Sequence, residues 1–259
     1  MSRGKRVELS PGFILHHRPW RDTSRMLEVF TRDHGRLTLF ARGARGPKSS
    51  LAGVLRPFEP LLISWSGRGD AAQLTHAEPD AGSAGRVLSL PPAAMMSAWY
   101  LNELLLKLTL RNDPQSAVYE LYATTLEHLR AAAALEPTLR RFERRLLEML
   151  GYGVDFAHEA RRGEPLDAAA YYHFHPGLGF VAMGGSEGSD GFSGAALLDI
   201  AADRLEAQSV LDEARRVLRA ALAAALEGRE LRTRAVARAV GRSAKPRTGT
   251  GISNGDRNQ

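Results

Sequence analysis

The sequence predicts an α+β protein in which an N-terminal OB-fold β-barrel is followed by an all-helical C-terminal domain. Three observations predict it. The first 80 residues contain about five short runs with strand character. A stretch rich in Gly, Ser, Ala and Pro then spans residues 79–92, and beyond it the apolar residues recur with the 3.6-residue period of helices.

The five expected strands are residues 13–17, 25–31, 36–42, 61–66 and 72–77. In the third of them Leu37, Leu39 and Ala41 fall on one side. The other side has Arg36, Thr38, Phe40 and Arg42, and this period of two is that of a strand. Residues 33–35 form a turn between the second and third strands, and residues 67–70 form one between the fourth and fifth. These four strands are therefore expected as two pairs. Five strands in this spacing fit a partly open OB-type barrel, and an SH3-like barrel fits the pattern nearly as well.

Helical periodicity predicts helices at residues 93–110, 114–134, 137–150 and 208–226, and a short one near 231–240. We therefore expect three parts. Residues 1–80 form the barrel domain, and residues 81–241 form a helical partner-binding domain with an irregular insert at about 151–194. Residues 242–259 have the composition of a disordered basic tail.

Charge is concentrated at the two ends of the chain. The net charge is +6 over 259 residues; residues 1–80 hold 13 Lys and Arg against 8 Asp and Glu, and residues 241–259 hold 4 against 1. A basic module joined to a nearly neutral one suits a protein that binds a polyanion. Because the chain has no cysteine, disulfides and thiolate zinc sites are excluded. The N-terminus does not resemble a secretory signal, and polar residues interrupt the apolar stretch 93–110, so no membrane segment is expected.

Arginines and aromatic residues cluster in the strand and loop region 18–48. Proteins that hold nucleic acid without reading its sequence combine a cationic groove with aromatic rings on which bases stack. The alternative is a solvated sheet face whose arginines only maintain solubility. The candidate nucleic-acid-binding residues are Arg18, Trp20, Arg21, Arg25, Arg36, Phe40, Arg42, Arg45 and Lys48.

The helix predicted at 137–150 carries four arginines beside an apolar stripe. An apolar groove with an arginine rim would suit a short acidic peptide with an aromatic anchor, whereas the simpler interpretation is the wet face of an amphipathic helix. The candidate partner-binding residues are Arg140, Arg141, Phe142, Arg144, Arg145 and Leu146.

No catalytic signature is found, and neither a cofactor nor a metal is expected. The segment 171–175 (YYHFH) has a His-x-His pair, with His158 upstream, but no fourth ligand stands out. Its alternating aromatic residues favour a short hairpin packed on the helices. The glycine-rich segment 184–189 neither follows a clear strand nor opens a clear helix, so we interpret it as a loop.

Several of these segments together resemble the RecO family of bacterial DNA-repair and recombination mediators. The segments are 17–24 (HRPWRDTS), 30–37 (FTRDHGRL), 41–45 (ARGAR), 55–61 (LRPFEPL), 64–69 (SWSGRG), 139–143 (LRRFE) and 150–156 (LGYGVDF). The resemblance extends from about residue 16 to 226. Some family members have a four-cysteine zinc site in the region corresponding to residues 157–172, from which this chain departs.

The resemblance implies a protein that binds single-stranded and double-stranded DNA and anneals complementary strands. The absence of cysteine fits a reducing cytoplasm, and we expect a cytoplasmic, nucleoid-associated location. The resemblance also implies partnership with RecR and with the acidic C-terminal tail of single-strand-binding protein, which docks on the helical domain. Through these partners a RecA-type recombinase is loaded onto coated single strands. The alternative function is an OB-like adaptor that binds protein partners with little direct contact to DNA.

Overall fold

The computed structural model describes residues 6–46, 49–67, 72–81, 89–131, 133–184 and 191–233. Five strands near the N-terminus close into a barrel in the order β1-β2-β3-β5-β4, with β4 pairing back onto β1. They are β1 (Arg6–Trp20), β2 (Ser24–Thr31), β3 (Gly35–Ala41), β4 (Leu61–Ser66) and β5 (Ala72–Pro79). β3 and β5 are parallel, and the other pairs are antiparallel.

The OB-like barrel is confirmed, but it is closed where the sequence predicted a partly open one. The difference comes from β1, which is 15 residues long. Its first half pairs with β4 while its second half pairs with β2, so one strand closes both sides of the barrel. Apolar alternation fills the interior with buried side chains, among them Ile14, Leu27, Val29 and Leu39.

The outer face of the barrel provides part of a second core. A register shift between Ile14 and His16 marks a β-bulge at Leu15. The bulge leaves Leu15 on the outside, where it is buried against the helices together with Phe13 and Phe30. The ring of Phe13 lies 5.3 Å from that of Tyr119 and 5.1 Å from that of Tyr122, both in the second helix.

Five helices of the described chain pack on this face and on one another. They are α1 (Pro92–Leu108), α2 (Ser116–Arg130), α3 (Leu135–Met149), α4 (Gly194–Ala201) and α5 (Gln208–Ala225). Helix α3 ends just before Gly151, whose φ of +81° is the left-handed conformation that favours glycine. Helix α4 is short and was not expected from the sequence. Apart from Leu231, Arg232 and Thr233, the helix expected near 231–240 lies outside the described residues, as does the tail 242–259.

The region after α3 also contains a small sheet, so the C-terminal part is helical but not all-helical. The predicted hairpin is present as β6 (Tyr171–His175) and β7 (Gly179–Ala182), and β8 (Phe192–Ser193) adds a third strand. The sheet forms because the alternating aromatic residues bury one face: Phe180 is fully buried, and its ring lies 5.6 Å from that of Phe156 and 5.2 Å from that of Phe174. No helix among the described residues is both long and apolar enough to cross a bilayer.

Candidate nucleic-acid interface

The outer face of β1, β2 and β3 has an open half beyond the part covered by helices. Strand register places Arg18 opposite Met26, Met26 opposite Phe40, and Phe40 beside Gln73. Residues directly paired across strands project from the same side of a sheet, so these four side chains form one row on the outside. Two residues further along, Trp20 pairs with Ser24 at the end of the same face.

An aromatic pair stands at the centre of this open half. The rings of Trp20 and Phe40 lie 5.3 Å apart with an angle of 54° between their planes. Trp20 is 39% exposed although tryptophan usually buries most of its surface. Beside the pair is a cavity of about 220 Å³, lined by Trp20, Arg21, Ser24, Phe40, Arg42 and Gln73.

Four exposed arginines surround the aromatic pair. Within the described residues, the side chains of Arg21 and Arg42 make no hydrogen bond or ion pair. Arg45 donates a hydrogen bond from Nη1 to the carbonyl oxygen of Arg21 at 3.4 Å, and its backbone N–H donates to the carbonyl oxygen of Thr23 at 2.8 Å. In the part of the chain that the structure describes, the Arg18 guanidinium donates only to the Met26 sulfur, at 3.5 Å. None of these partners neutralises a guanidinium, so all four charges remain available to an anion.

We call these six residues the aromatic–basic surface: Arg18, Trp20, Arg21, Phe40, Arg42 and Arg45. Positively charged side chains also lie near His17 of β1. Burial lowers the pKa of His17 below its usual value, and the nearby charges of Arg25 and His16 lower it further. Arg25 itself is half-buried, and its Nη1 lies 3.4 Å from the carbonyl oxygen of Leu55.

Arg36 lies apart from this surface, at the junction between barrel and helices. Its Nη1 is 3.2 Å from Glu28 Oε2, and its Nη2 donates to the carbonyl oxygen of Thr109 at 2.9 Å. Its side chain is only 12% exposed. Arg111, which follows α1, approaches the other oxygen of Glu28 to 2.6 Å. The candidate residues thus include one arginine that connects two parts of the fold, and Lys48 lies outside the described residues.

Sequence reasoning missed two residues that line the cavity, Ser24 and Gln73. Gln73 is 33 residues from Phe40 in the chain, and only the parallel pairing of β3 with β5 brings them together. The sequence does indicate that Gln73 faces outward, because it is the polar residue between Ala72 and Leu74, both buried in the barrel. That alternation does not indicate which strand lies beside Gln73.

The apolar side of helix α3 is covered by other helices and does not form the open groove that the sequence predicted. Phe142 and Leu146 are fully buried in the helical core, so the expectation that they are accessible to a peptide is wrong. The reason is that the apolar stripe of α3 packs against α2 and α5. Arg140 is also buried, with Nη2 3.0 Å from the carboxylate of Glu143.

The other three arginines of α3 are at its surface to different degrees. Arg144 is half-buried and donates to the carbonyl oxygen of Ile200. Arg141 and Arg145 are exposed, and each has a carboxylate partner, Asp203 at 2.9 Å and Glu148 at 3.1 Å respectively. Of the six candidate partner-binding residues, Arg141 and Arg145 are therefore exposed, Arg144 is half-buried, and the other three are buried.

The histidines at 158, 173 and 175 do not form a shared site with other metal-ligating side chains among the described residues. His158 Nδ1 lies 3.0 Å from Asp155 Oδ2, and His173 and His175 lie on the outer side of β6. Across the described ranges, no three His, Cys, Asp or Glu side chains come together as metal ligands do.

Both halves of the chain are similar to proteins of one known family. The family model "Recombination protein O N terminal" matches residues 6–81, and "Recombination protein O C terminal" matches residues 92–235. The DNA repair protein RecO of Alkalilimnicola ehrlichii is 42% identical over 256 residues, which is 98% of this chain and 99% of the relative. The proteins of the same name from Photobacterium profundum and Aromatoleum aromaticum are 43% and 41% identical over 86% and 91% of this chain, and over 92% and 97% of their own lengths.

The two family models together match nearly all the described residues, from the barrel through the helices and the small sheet. This protein belongs to the RecO family.

Proposed function

We propose that this chain is a non-enzymatic, DNA-binding recombination mediator that acts in DNA repair. In the proposal, residues 1–80 bind single-stranded and double-stranded DNA, and residues 81–241 bind partners. The observation that carries it is the aromatic–basic surface, where four arginines with no carboxylate partner among the described residues lie around the exposed Trp20 and its neighbour Phe40. The relatives from Photobacterium profundum and Aromatoleum aromaticum are named DNA repair protein RecO, which supports the same assignment.

Strand annealing follows from the chemistry of this surface. Two complementary strands repel each other through their phosphates, and guanidinium groups that replace condensed counterions lower that repulsion. Trp20 and Phe40 would hold unpaired bases by stacking, which tolerates any base because each has a π-face. A strand held in this way keeps the edges of its other bases free to pair with a second strand.

The partners in the proposal are RecR and the acidic C-terminal tail of single-strand-binding protein. The exposed guanidinium groups of Arg141 and Arg145 on α3 suit an acidic peptide, although both must exchange a carboxylate partner to bind it. Recruitment to coated strands would then help load a RecA-type recombinase. A cytoplasmic protein associated with the nucleoid fits this role.

The DNA-binding part is tested by the salt dependence of affinity for oligothymidylate. We compare the full chain with Arg21→Gln/Arg42→Gln and with a control of equal charge, Arg161→Gln/Arg162→Gln. Because each lost phosphate contact on a single strand reduces the slope of log K against log salt by about 0.7, the first pair should reduce it by about 1.4. The control should leave the slope unchanged.

The rate of annealing of two labelled complementary strands should fall in parallel with that slope. Equal slopes in both double variants would remove the aromatic–basic surface from the proposal. A full chain that binds no oligonucleotide at low salt, yet still binds protein partners, would favour the adaptor function instead.

The partner-binding part has its own test, with a peptide corresponding to the acidic tail as the probe. Arg141→Gln/Arg145→Gln should weaken peptide binding several-fold without changing the affinity for oligothymidylate. Arg161→Gln/Arg162→Gln again serves as the control. Unchanged peptide affinity in the α3 variant would exclude these two arginines as the docking site.

A further inference from the structure

The cavity beside Trp20 and Phe40 has polar groups that simple stacking does not use. We propose that it is a subsite for one unstacked nucleobase and that it prefers purines over pyrimidines. This inference rests on the proposed DNA binding and adds base selection to it. The residues that would make the selection are Gln73 and Arg42.

The size and walls of the cavity suit a single base. At about 220 Å³ it is smaller than the sites of drug-sized ligands, which begin near 300 Å³. Trp20 and Phe40 provide apolar ring surface to the lining of the cavity, with their planes tilted by 54°. A flat base in the cavity would pack on this ring surface.

Strand geometry directs Gln73 into the cavity. Its neighbours Ala72 and Leu74 point into the barrel, so Gln73 points out, directly beside Phe40 on the parallel strand β3. A strand position fixes the origin of the side chain more firmly than a loop position would. Ser24, which pairs with Trp20, adds a hydroxyl-bearing side chain to the lining.

The chemistry of Gln73 and Arg42 favours purines. A glutamine amide donates to N7 of adenine and accepts from its N6 amino group, and an arginine guanidinium donates to both O6 and N7 of guanine. Pyrimidines have no N7. Cytosine would offer its N4 amino group to a carboxylate, but none is present among the described residues that line the cavity.

The experiment measures the affinity of the full chain for an oligothymidylate of about 15 nucleotides whose central nucleotide is changed. The central base is thymine, cytosine, adenine, guanine or 7-deazaadenine, which keeps the ring and the amino group of adenine but lacks N7. We expect adenine and guanine to bind about fivefold more tightly than thymine, in line with a discrimination at the lower end for a bidentate contact. The 7-deazaadenine oligonucleotide should bind like thymine.

Two variants assign the effect to Gln73. Gln73→Ala should abolish the preference for adenine over thymine, measured as the ratio of the two affinities within this variant. Gln73→Glu keeps the shape of the side chain but loses the donor for N7, and should also abolish it. Gln208→Ala, an exposed glutamine on α5, is the matched control and should keep the preference.

Two results would overturn the subsite. One is equal affinity for all five oligonucleotides in the full chain. The other is an adenine preference that survives both the 7-deaza substitution and Gln73→Ala. In either case the oligonucleotides would still bind, and the proposed DNA-binding function would stand. Loss of all binding to every oligonucleotide would instead overturn both.

Discussion

Arg36 lies on the outer face of β3 and Arg42 directly follows the end of that strand, and the two arginines act on different parts of the molecule. The Arg36 side chain is 12% exposed and bonds to Glu28 and to the carbonyl of Thr109. Arg42 is exposed at the edge of the cavity. A guanidinium with buried partners contributes to folding, whereas one without a carboxylate partner is available to a ligand.

Replacement of Arg36 should therefore change stability. Arg36→Ala leaves the Thr109 carbonyl without its donor and Glu28 with Arg111 as its remaining guanidinium partner. We expect a loss of about 2 kcal/mol in the free energy of unfolding, which is typical of a broken charged hydrogen bond. Urea unfolding measures it, and oligothymidylate affinity should stay within about twofold of the wild-type value.

Arg42→Ala should show the opposite profile. Its free energy of unfolding should match that of the wild type within about 0.5 kcal/mol, as for most surface substitutions. Its affinity for oligothymidylate should fall, and more so at low salt. If Arg36→Ala weakened binding as much as Arg42→Ala did, the division of roles along β3 would be wrong.

At the scale of elements, periodicity predicted most strands and the long helices to within a few residues. It could not predict pairing, because a strand alternates in the same way whichever neighbour it has. For that reason Gln73 escaped notice and Arg36 was grouped with the surface arginines. Helix α3 shows the same limit. Its sequence gives an apolar stripe beside arginines, but only the packed helices reveal that Phe142 is covered.

Helix α1 offers a pH-dependent contact with the end of the described chain. One oxygen of Glu103 accepts from the backbone N–H of Arg232 at 2.8 Å, and the other accepts from the N–H and hydroxyl of Thr233 at 2.9 and 2.7 Å. Burial alone would raise the pKa of Glu103, but these hydrogen bonds outweigh it and hold the pKa below its usual value. The carboxylate form therefore stabilises the folded chain.

The sign of the pH effect follows from that lowered pKa. The stabilisation is complete above the pKa of Glu103 in the unfolded chain, about 4.3, and is lost as pH falls through the lower folded value. Glu103→Gln should cost about 2 kcal/mol at pH 7 and much less at pH 3. Urea unfolding of both proteins at the two pH values tests this, and a cost independent of pH would contradict it.

At the scale of the whole molecule, barrel and helices share a core. Phe13, Leu15, Phe30 and Phe58 belong to the barrel half of the chain, yet all four are buried in the helical cluster. Asn102 of α1 joins the two parts by donating to the carbonyl oxygen of Leu15 at 2.7 Å and accepting from the Tyr122 hydroxyl at 2.5 Å. Gly35 permits a similar close approach, since a Cβ there would lie 2.1 Å from the carbonyl oxygen of Asp113.

The shared core predicts that the barrel is not an independent folding unit. A fragment of residues 6–81 would expose those four large apolar side chains, which are at most 5% exposed in the full chain. Contiguous apolar surface of this kind promotes association. We expect the fragment to self-associate on size-exclusion chromatography and to lack a cooperative thermal transition, whereas the full chain should show one.

A polar substitution in the fragment separates exposure from missing barrel contacts. Phe13→Ser/Phe30→Thr removes two of the exposed rings without touching the barrel interior, where Ile14 and Val29 point. If apolar exposure is the cause, this double variant should reduce association of the fragment, while in the full chain it should cost several kcal/mol because both rings leave the helical core. A monomeric wild-type fragment with a cooperative transition would instead mean that the barrel folds without the helices. The packing of the helices on its outer face would then not be required for folding of the barrel.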